Sequence, residues 1–146
     1  MRFRFGRAVV LALIALAPSA CEKKETRVPV YPVSGKVLVG GKPVAGVMIV
    51  LHAADGTQPA PAKPNAKTAA DGTFRLSSYD PQDGAPAGTY AVTLFWFKNN
   101  PDDDGSADRF KGKYANPEKP ARTVTITAGP NELPVFELTR PDGATG

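Results

Sequence analysis

The sequence has few of the residues that build catalytic and metal centres. Among its 146 residues there are one cysteine and one histidine. One cysteine excludes an intramolecular disulfide, and one histidine excludes most histidine-based metal sites and catalytic triads. The sequence also lacks an apolar run of the roughly 20 residues that a transmembrane helix needs. What the sequence can reveal is therefore mainly the fold and the cellular location.

The chain also has little net charge once its N-terminus is set aside. The formal charge is +4, but three of the basic residues, Arg2, Arg4 and Arg7, lie within the first seven positions. Without them fifteen basic and fourteen acidic side chains remain, a net charge of +1. Because nucleic-acid-binding proteins present a clearly basic surface, we expect no nucleic-acid partner.

Residues 1–20 are typical of a secretory signal peptide. The three arginines form a positively charged n-region, and residues 8–17 form an uninterrupted apolar h-region. A helix rises only about 1.5 Å per residue, so such a short segment does not cross a hydrocarbon core of about 30 Å. The segment predicts export of the protein without a transmembrane anchor.

The only cysteine lies directly after this segment. Ser19 and Ala20 are small residues, and Cys21 follows them. The arrangement resembles the lipobox of bacterial lipoproteins, although Pro18 stands where that motif usually has an aliphatic residue. The resemblance implies cleavage before Cys21, diacylation of its thiol and a charged tether over residues 21–32. The alternative is a chance thiol at the end of a signal peptide.

From residue 33 onward, apolar and polar residues alternate with the period of two that is typical of strands. The alternation is clearest at 33–39, 47–51, 73–76, 88–97 and 122–127. With 14 glycines and 15 prolines, about a fifth of the chain favours tight turns. We therefore predict an all-β fold, a single antiparallel β-sandwich of about seven strands, transthyretin-like or immunoglobulin-like, over residues 33–140. Residues 141–146 are predicted to be a disordered tail.

Three local predictions follow from the same reasoning. Residues 47–51 are apolar on both faces, which indicates a central strand. Residues 53–66 are rich in proline and are expected to form a long loop. The Asp71-Gly72 pair predicts a hairpin over residues 68–76, with Phe74 and Leu76 facing inward.

Several motifs, in order along the chain, resemble one known family. They are Val-Ser-Gly-Lys-Val at 33–37, Gly-Lys-Pro-Val-Ala-Gly-Val at 41–47, Thr-Ala-Ala-Asp-Gly-Thr-Phe at 68–74 and Pro-Ala-Gly-Thr-Tyr at 86–90. They are similar to the carboxypeptidase regulatory-like domain, a transthyretin-type (prealbumin-like) sandwich, as found in small lipoproteins of planctomycete bacteria. The resemblance covers about residues 30–140, and it implies an accessory, adhesive or carbohydrate-associated module.

The same fold includes an enzyme, 5-hydroxyisourate hydrolase, but most of the residues on which its activity relies are missing from this chain. That enzyme relies on paired histidines, an arginine and a C-terminal Tyr-Arg-Gly-Ser. This chain has only His52, ends in Pro-Asp-Gly-Ala-Thr-Gly and contains no Gly-x-Ser-x-Gly motif. We therefore expect no enzymatic activity and assign no catalytic residue, and a hydrolase is kept only as a third alternative.

An acidic segment resembles a calcium loop. Asn100, Asp102 and Asp104 place oxygen ligands at alternate positions before a glycine, and Asp108 adds a carboxylate. Lys111 stands where a calcium loop has its bidentate glutamate. The segment is therefore interpreted first as an ordinary solvated acidic loop, with a weak calcium site as the alternative. No other cofactor is expected.

Three consecutive aromatic residues, Phe95, Trp96 and Phe97, end the longest predicted strand. Because successive side chains of a strand point to opposite faces, at least one of these rings projects away from the core. That ring offers a platform for a sugar or a protein partner. Burial under the aromatic residues of the following loop at 108–120 is the favoured interpretation, and the platform is the alternative.

These observations together predict an exported, lipid-anchored, non-catalytic β-sandwich that serves as a structural or protein-interaction module of the bacterial cell envelope. The lipoprotein would be membrane-anchored through Cys21 and would face the periplasm or the exterior. Its expected partners are the membrane and an envelope protein or glycan. The alternative is a carbohydrate-binding or small-ligand-binding lipoprotein that uses the exposed aromatic residues.

Overall fold

The computed structural model describes residues 27–56, 63–97 and 107–143, and within these ranges the chain forms strands and turns without a helix. None of the described residues therefore belongs to a helix that could span a membrane. The strands are β1 (Val30–Tyr31), β2 (Val33–Val39), β3 (Lys42–Pro43), β4 (Val47–Ala53), β5 (Asn65–Lys67), β6 (Thr73–Arg75), β7 (Ala85–Pro86), β8 (Gly88–Trp96), β9 (Arg122–Ile126), β10 (Asn131–Glu132) and β11 (Phe136–Leu138).

The strands form two main sheets. One sheet has the order β5-β4-β8-β9, and every neighbouring pair in it is antiparallel. In the other sheet β2 is central, with β6 and β10 beside its first half and β3 and β11 beside its second half. A short antiparallel ladder of β1 and β7 lies apart from them. The all-β sandwich predicted from the alternation is confirmed.

Two strands pair in a way that the sequence did not predict. Both β10 and β11 run parallel to β2. Side chains alternate with the same period in parallel and antiparallel strands, so the hydrophobic pattern does not reveal the direction of pairing. The parallel pairing places the C-terminal segment beside the end of β2.

The core lies between the inward faces of the two sheets. Alternate residues of β4 and β8 are buried, and β4 lies between β5 and β8, as expected for a central strand. The side chains with no exposed surface in this core include Val37, Val39, Val47, Ile49, Leu51, Leu76, Val92, Leu94 and Phe110. Most of them are β-branched or aliphatic residues that suit a pleated surface buried on one side.

The hairpin predicted at 68–76 is present, and it also joins the two sheets. Gly72 adopts a φ of 76°, and its N–H donates to the carbonyl of Ala69 at 2.9 Å, so the turn itself is present. The two arms pair with each other through the Ala69 N–H, which donates to the carbonyl of Thr73 at 2.9 Å, and through an antiparallel bridge between Asn65 and Ser77. On their other sides β5 pairs with β4 and β6 pairs with β2. The turn therefore carries the chain from one sheet to the other, and the loop predicted over 53–66 ends where β5 begins.

Candidate functional site

The segment before the sandwich is fixed to its surface from the first described residue. The guanidinium of Arg27 donates to the carboxylate of Asp80 at 2.7 Å and lies 5.1 Å from the ring centroid of Tyr79. The N–H of Val28 donates to the Tyr79 hydroxyl at 3.1 Å. Immediately after Val28 and Pro29 in the sequence, β1 pairs with β7. Residues 27–31, the described start of the segment predicted as a tether, are therefore docked on the sandwich.

Asp83 shapes the loop that holds Arg27. Its carboxylate accepts the backbone N–H groups of Ser78, Tyr79 and Asp80 at 2.7, 3.0 and 3.0 Å. Burial opposes the charged form, but these backbone hydrogen bonds outweigh burial and lower the pKa of Asp83. The role of this loop was not predicted from the sequence, although Asp80-Pro81 and Asp83-Gly84 are typical turn sequences.

Trp96 belongs to the core and not to an exposed platform. Only 7% of the residue is exposed, and its indole N–H donates to the carbonyl of Ala45 at 3.1 Å. Its ring lies 5.8 Å from that of Phe110, which has no exposed surface. Trp96 is therefore removed from the predicted ligand platform, because β8 turns it to the same side as Leu94.

Phe95 and Phe97 lie on the opposite side of β8. Their rings stack with centroids 5.9 Å apart and planes 5° apart, and both residues are half-buried. The loop aromatics Phe110 and Tyr114 pack against each other in an edge contact at 5.2 Å. Across the sheet Met48 pairs with Phe95 and is 38% exposed. We call the patch formed by Met48, Val50, Phe95 and Phe97 the outer face.

Asp108, a predicted calcium ligand, organises the loop after β8. One carboxylate oxygen accepts the N–H groups of Trp96 and Phe110 at 2.9 and 3.0 Å, and the other accepts that of Gly112 at 2.9 Å. The other predicted ligands, Asn100, Asp102 and Asp104, lie outside the described residues. Among the described residues no cluster of three or more metal-ligating side chains occurs. The calcium site stays a prediction.

The single histidine contacts a hydroxyl group. Nε2 of His52 lies 2.9 Å from Oγ1 of Thr93, a residue with no exposed surface. Burial, and secondly the charge of Lys63, lower the pKa of His52 below its ordinary value of 6.5. A substrate cannot reach the Thr93 hydroxyl, so this pair does not form an accessible nucleophile and base.

The lowered pKa of His52 predicts a pH dependence of stability. The folded state binds the proton less readily than the unfolded state, so the contribution of His52 is complete above about pH 6.5. It decreases as the pH falls through the pKa of the folded state. Thermal unfolding at pH 7 and pH 5 should show a larger decrease in Tm for the wild type than for His52→Gln. Equal decreases in both proteins would contradict the prediction.

Comparisons with known proteins identify no family for this chain. No family model and no curated protein matches the chain. The chain is similar to a 9R-lipoxygenase from Cyanothece PCC8801, with 13% identity and a TM-score of 0.42, over 75% of this chain and 16% of that chain. It is also similar to the dioxygenase domain of a dioxygenase carbohydrate-binding protein fusion from Streptomyces sp. SirexAA-E, with 21% identity and a TM-score of 0.33, over 79% and 84% of the two chains. At these TM-scores neither similarity carries a functional argument.

Proposed function

We propose that this chain is an exported, lipid-anchored, non-catalytic β-sandwich that acts as a protein-interaction module of the bacterial cell envelope. The observation that carries the proposal is the short stretch of sequence between Cys21 and the docked residue Arg27. Two acyl chains on Cys21 would supply stable membrane attachment. The sandwich would then be a rigid domain joined to the membrane by a short linker.

The length of that linker limits the distance between the domain and the membrane. Six residue steps separate Cys21 from Arg27. At no more than about 3.6 Å per residue, these steps span at most about 22 Å. Arg27 is bound to the loop at Asp80, so this end of the sandwich would stay close to the membrane. The other end, where β8 finishes at Trp96, would point away from it.

The outer face supports a protein partner over a sugar. Met48, Phe95 and Phe97 present partly exposed apolar surface in one patch, a composition typical of protein contacts. A sugar platform presents the flat face of an aromatic ring, whereas here Phe95 and Phe97 cover one face of each other. The resemblance to carboxypeptidase regulatory-like domains also favours an accessory role, although by fold analogy alone.

The proposed anchor predicts a change of cell fraction on substitution of one residue. We expect Cys21→Ser to move the protein from the membrane pellet to the soluble fraction, because serine offers no thiol for acylation. Ser19→Ala is the matched control, since it changes the neighbouring sequence and keeps the cysteine. Immunoblots of both fractions give the readout. Retention of Cys21→Ser in the membrane at the wild-type level would contradict the proposal.

A further inference from the structure

An open groove lies at the end of the sandwich where β8 finishes. Its volume is about 610 Å³. One wall is the loop organised by Asp108, and the other is the C-terminal segment that follows β11. The lining residues are Ala107, Asp108, Arg109, Lys111, Gly112, Arg140 and Asp142. The groove therefore joins two segments that are about thirty residues apart in the sequence.

The charged side chains of the groove are mostly basic. Arg109, Lys111 and Arg140 are cationic, against two aspartates. The carboxylate of Asp108 already accepts three backbone N–H groups, and that of Asp142 accepts a hydrogen bond from Arg140 at 2.6 Å. Both acids are thus engaged in the fold, and the groove keeps a surplus of positive charge.

The two arginines also carry unsatisfied donors. In the part of the chain that the structure describes, Nε of Arg109 and Nε of Arg140 are the buried side-chain polar atoms without a hydrogen-bond partner. Arg109 lies 4.6 Å from the ring centroid of Trp96, and this stacking holds its guanidinium in place. A buried donor without an acceptor lowers the stability of the fold, so a ligand that supplied an acceptor would be favoured.

We propose that this groove binds a small oxyanion, a phosphate or carboxylate group held between Arg109 and Arg140, with Lys111 adding charge. Planar guanidinium groups match the paired oxygens of such anions. Because both Nε atoms are buried, each guanidinium would turn toward the groove on binding and so give its Nε–H a bound oxygen as acceptor. The strand β8 has nine residues, so the groove lies about 25 Å from the end that carries Arg27. If the proposed anchor at Cys21 holds, the groove faces away from that membrane, which favours a free anion over a lipid headgroup.

The arginine Nε–H signals of the full chain carrying Cys21→Ser provide the test, because this protein needs no lipid. Sodium phosphate and sodium acetate are titrated separately at constant ionic strength, with sodium chloride as the reference, and ¹H–¹⁵N spectra are recorded. We expect saturable shifts of the Arg109 and Arg140 signals with phosphate or acetate. Vesicles of phosphatidylglycerol form a separate arm, and we expect them to shift these signals less than the free anion does.

Lysine variants separate specific binding from general charge attraction. Arg109→Lys and Arg140→Lys keep the charge but remove Nε, and each should weaken anion binding about tenfold. Arg75→Lys, at an exposed position on β6, is the matched control and should leave the affinity unchanged. Any of three results would overturn the proposal. They are linear shifts equal to those with chloride, equal anion affinity in all three variants, and a response to vesicles alone. None of these results depends on whether Cys21 is lipidated.

Discussion

Phe110→Ala is expected to lower the free energy of unfolding by about 3–4 kcal/mol. Phe110 lies in a loop, yet it has no exposed surface. Its ring contacts those of Trp96 and Tyr114 at centroid distances of 5.8 and 5.2 Å. Truncation to alanine would leave a cavity at the end of the core, because neighbours of this size do not collapse fully into it. Equilibrium denaturation with urea gives the measurement.

A second phenylalanine provides the control for this experiment. Phe97 is also aromatic and lies near the same end of β8, but it is half-buried on the outer face. Phe97→Ala should therefore cost clearly less stability than Phe110→Ala. Equal losses, or a loss below about 1 kcal/mol for Phe110→Ala, would show that the loop after β8 does not close the core.

Gly84→Ala is expected to detach β1 and the described residues before it from the sandwich. A Cβ atom at Gly84 would overlap the backbone carbonyl of Tyr31, and the residue also has a φ of 106°. Neither obstacle can be relieved by a side-chain rotation, so the pairing of β1 with β7 should be lost. We expect a loss of about 3 kcal/mol or more in the free energy of unfolding. Cleavage by a protease between residues 27 and 32 should become faster.

Gly129 separates the two causes of this effect. It has a φ of 104°, close to that of Gly84, but no atom lies within 4 Å of a Cβ built there. Gly129→Ala therefore carries the backbone strain without the overlap and should cost about 1 kcal/mol. If both variants lose the same stability and resist the protease equally, the close approach of Gly84 to Tyr31 does not hold the segment in place.

The sequence could predict those parts of the fold that depend on local patterns. Alternation identified the main strands, and the apolar residues on both faces of 47–51 identified β4 as a central strand. The Asp71-Gly72 turn was also predictable, because glycine readily adopts the positive φ that the turn requires. The partner strands on either side of that turn depend on long-range packing, so the crossing between sheets was not predictable from local signals.

In the candidate sites, too, the features that depend on long-range contacts were not predictable from the sequence. Asp108 was predicted as a metal ligand from its neighbours in the sequence, but its carboxylate accepts three backbone N–H groups in the folded loop. The two arginines of the groove are distant in sequence, and only the tertiary structure brings them to one site. The docking of Arg27 on Asp80 likewise depends on a contact between residues 53 positions apart.

The intact mass of the protein extracted from its native membranes would test the proposed lipid anchor at Cys21. We expect a mass that corresponds to residues 21–146 with a diacylglyceryl group on the cysteine. That result would establish the attachment point and confine the search for partners to the cell envelope. A mass that starts at another residue and carries no lipid would contradict the anchor, although the sandwich itself would be unaffected.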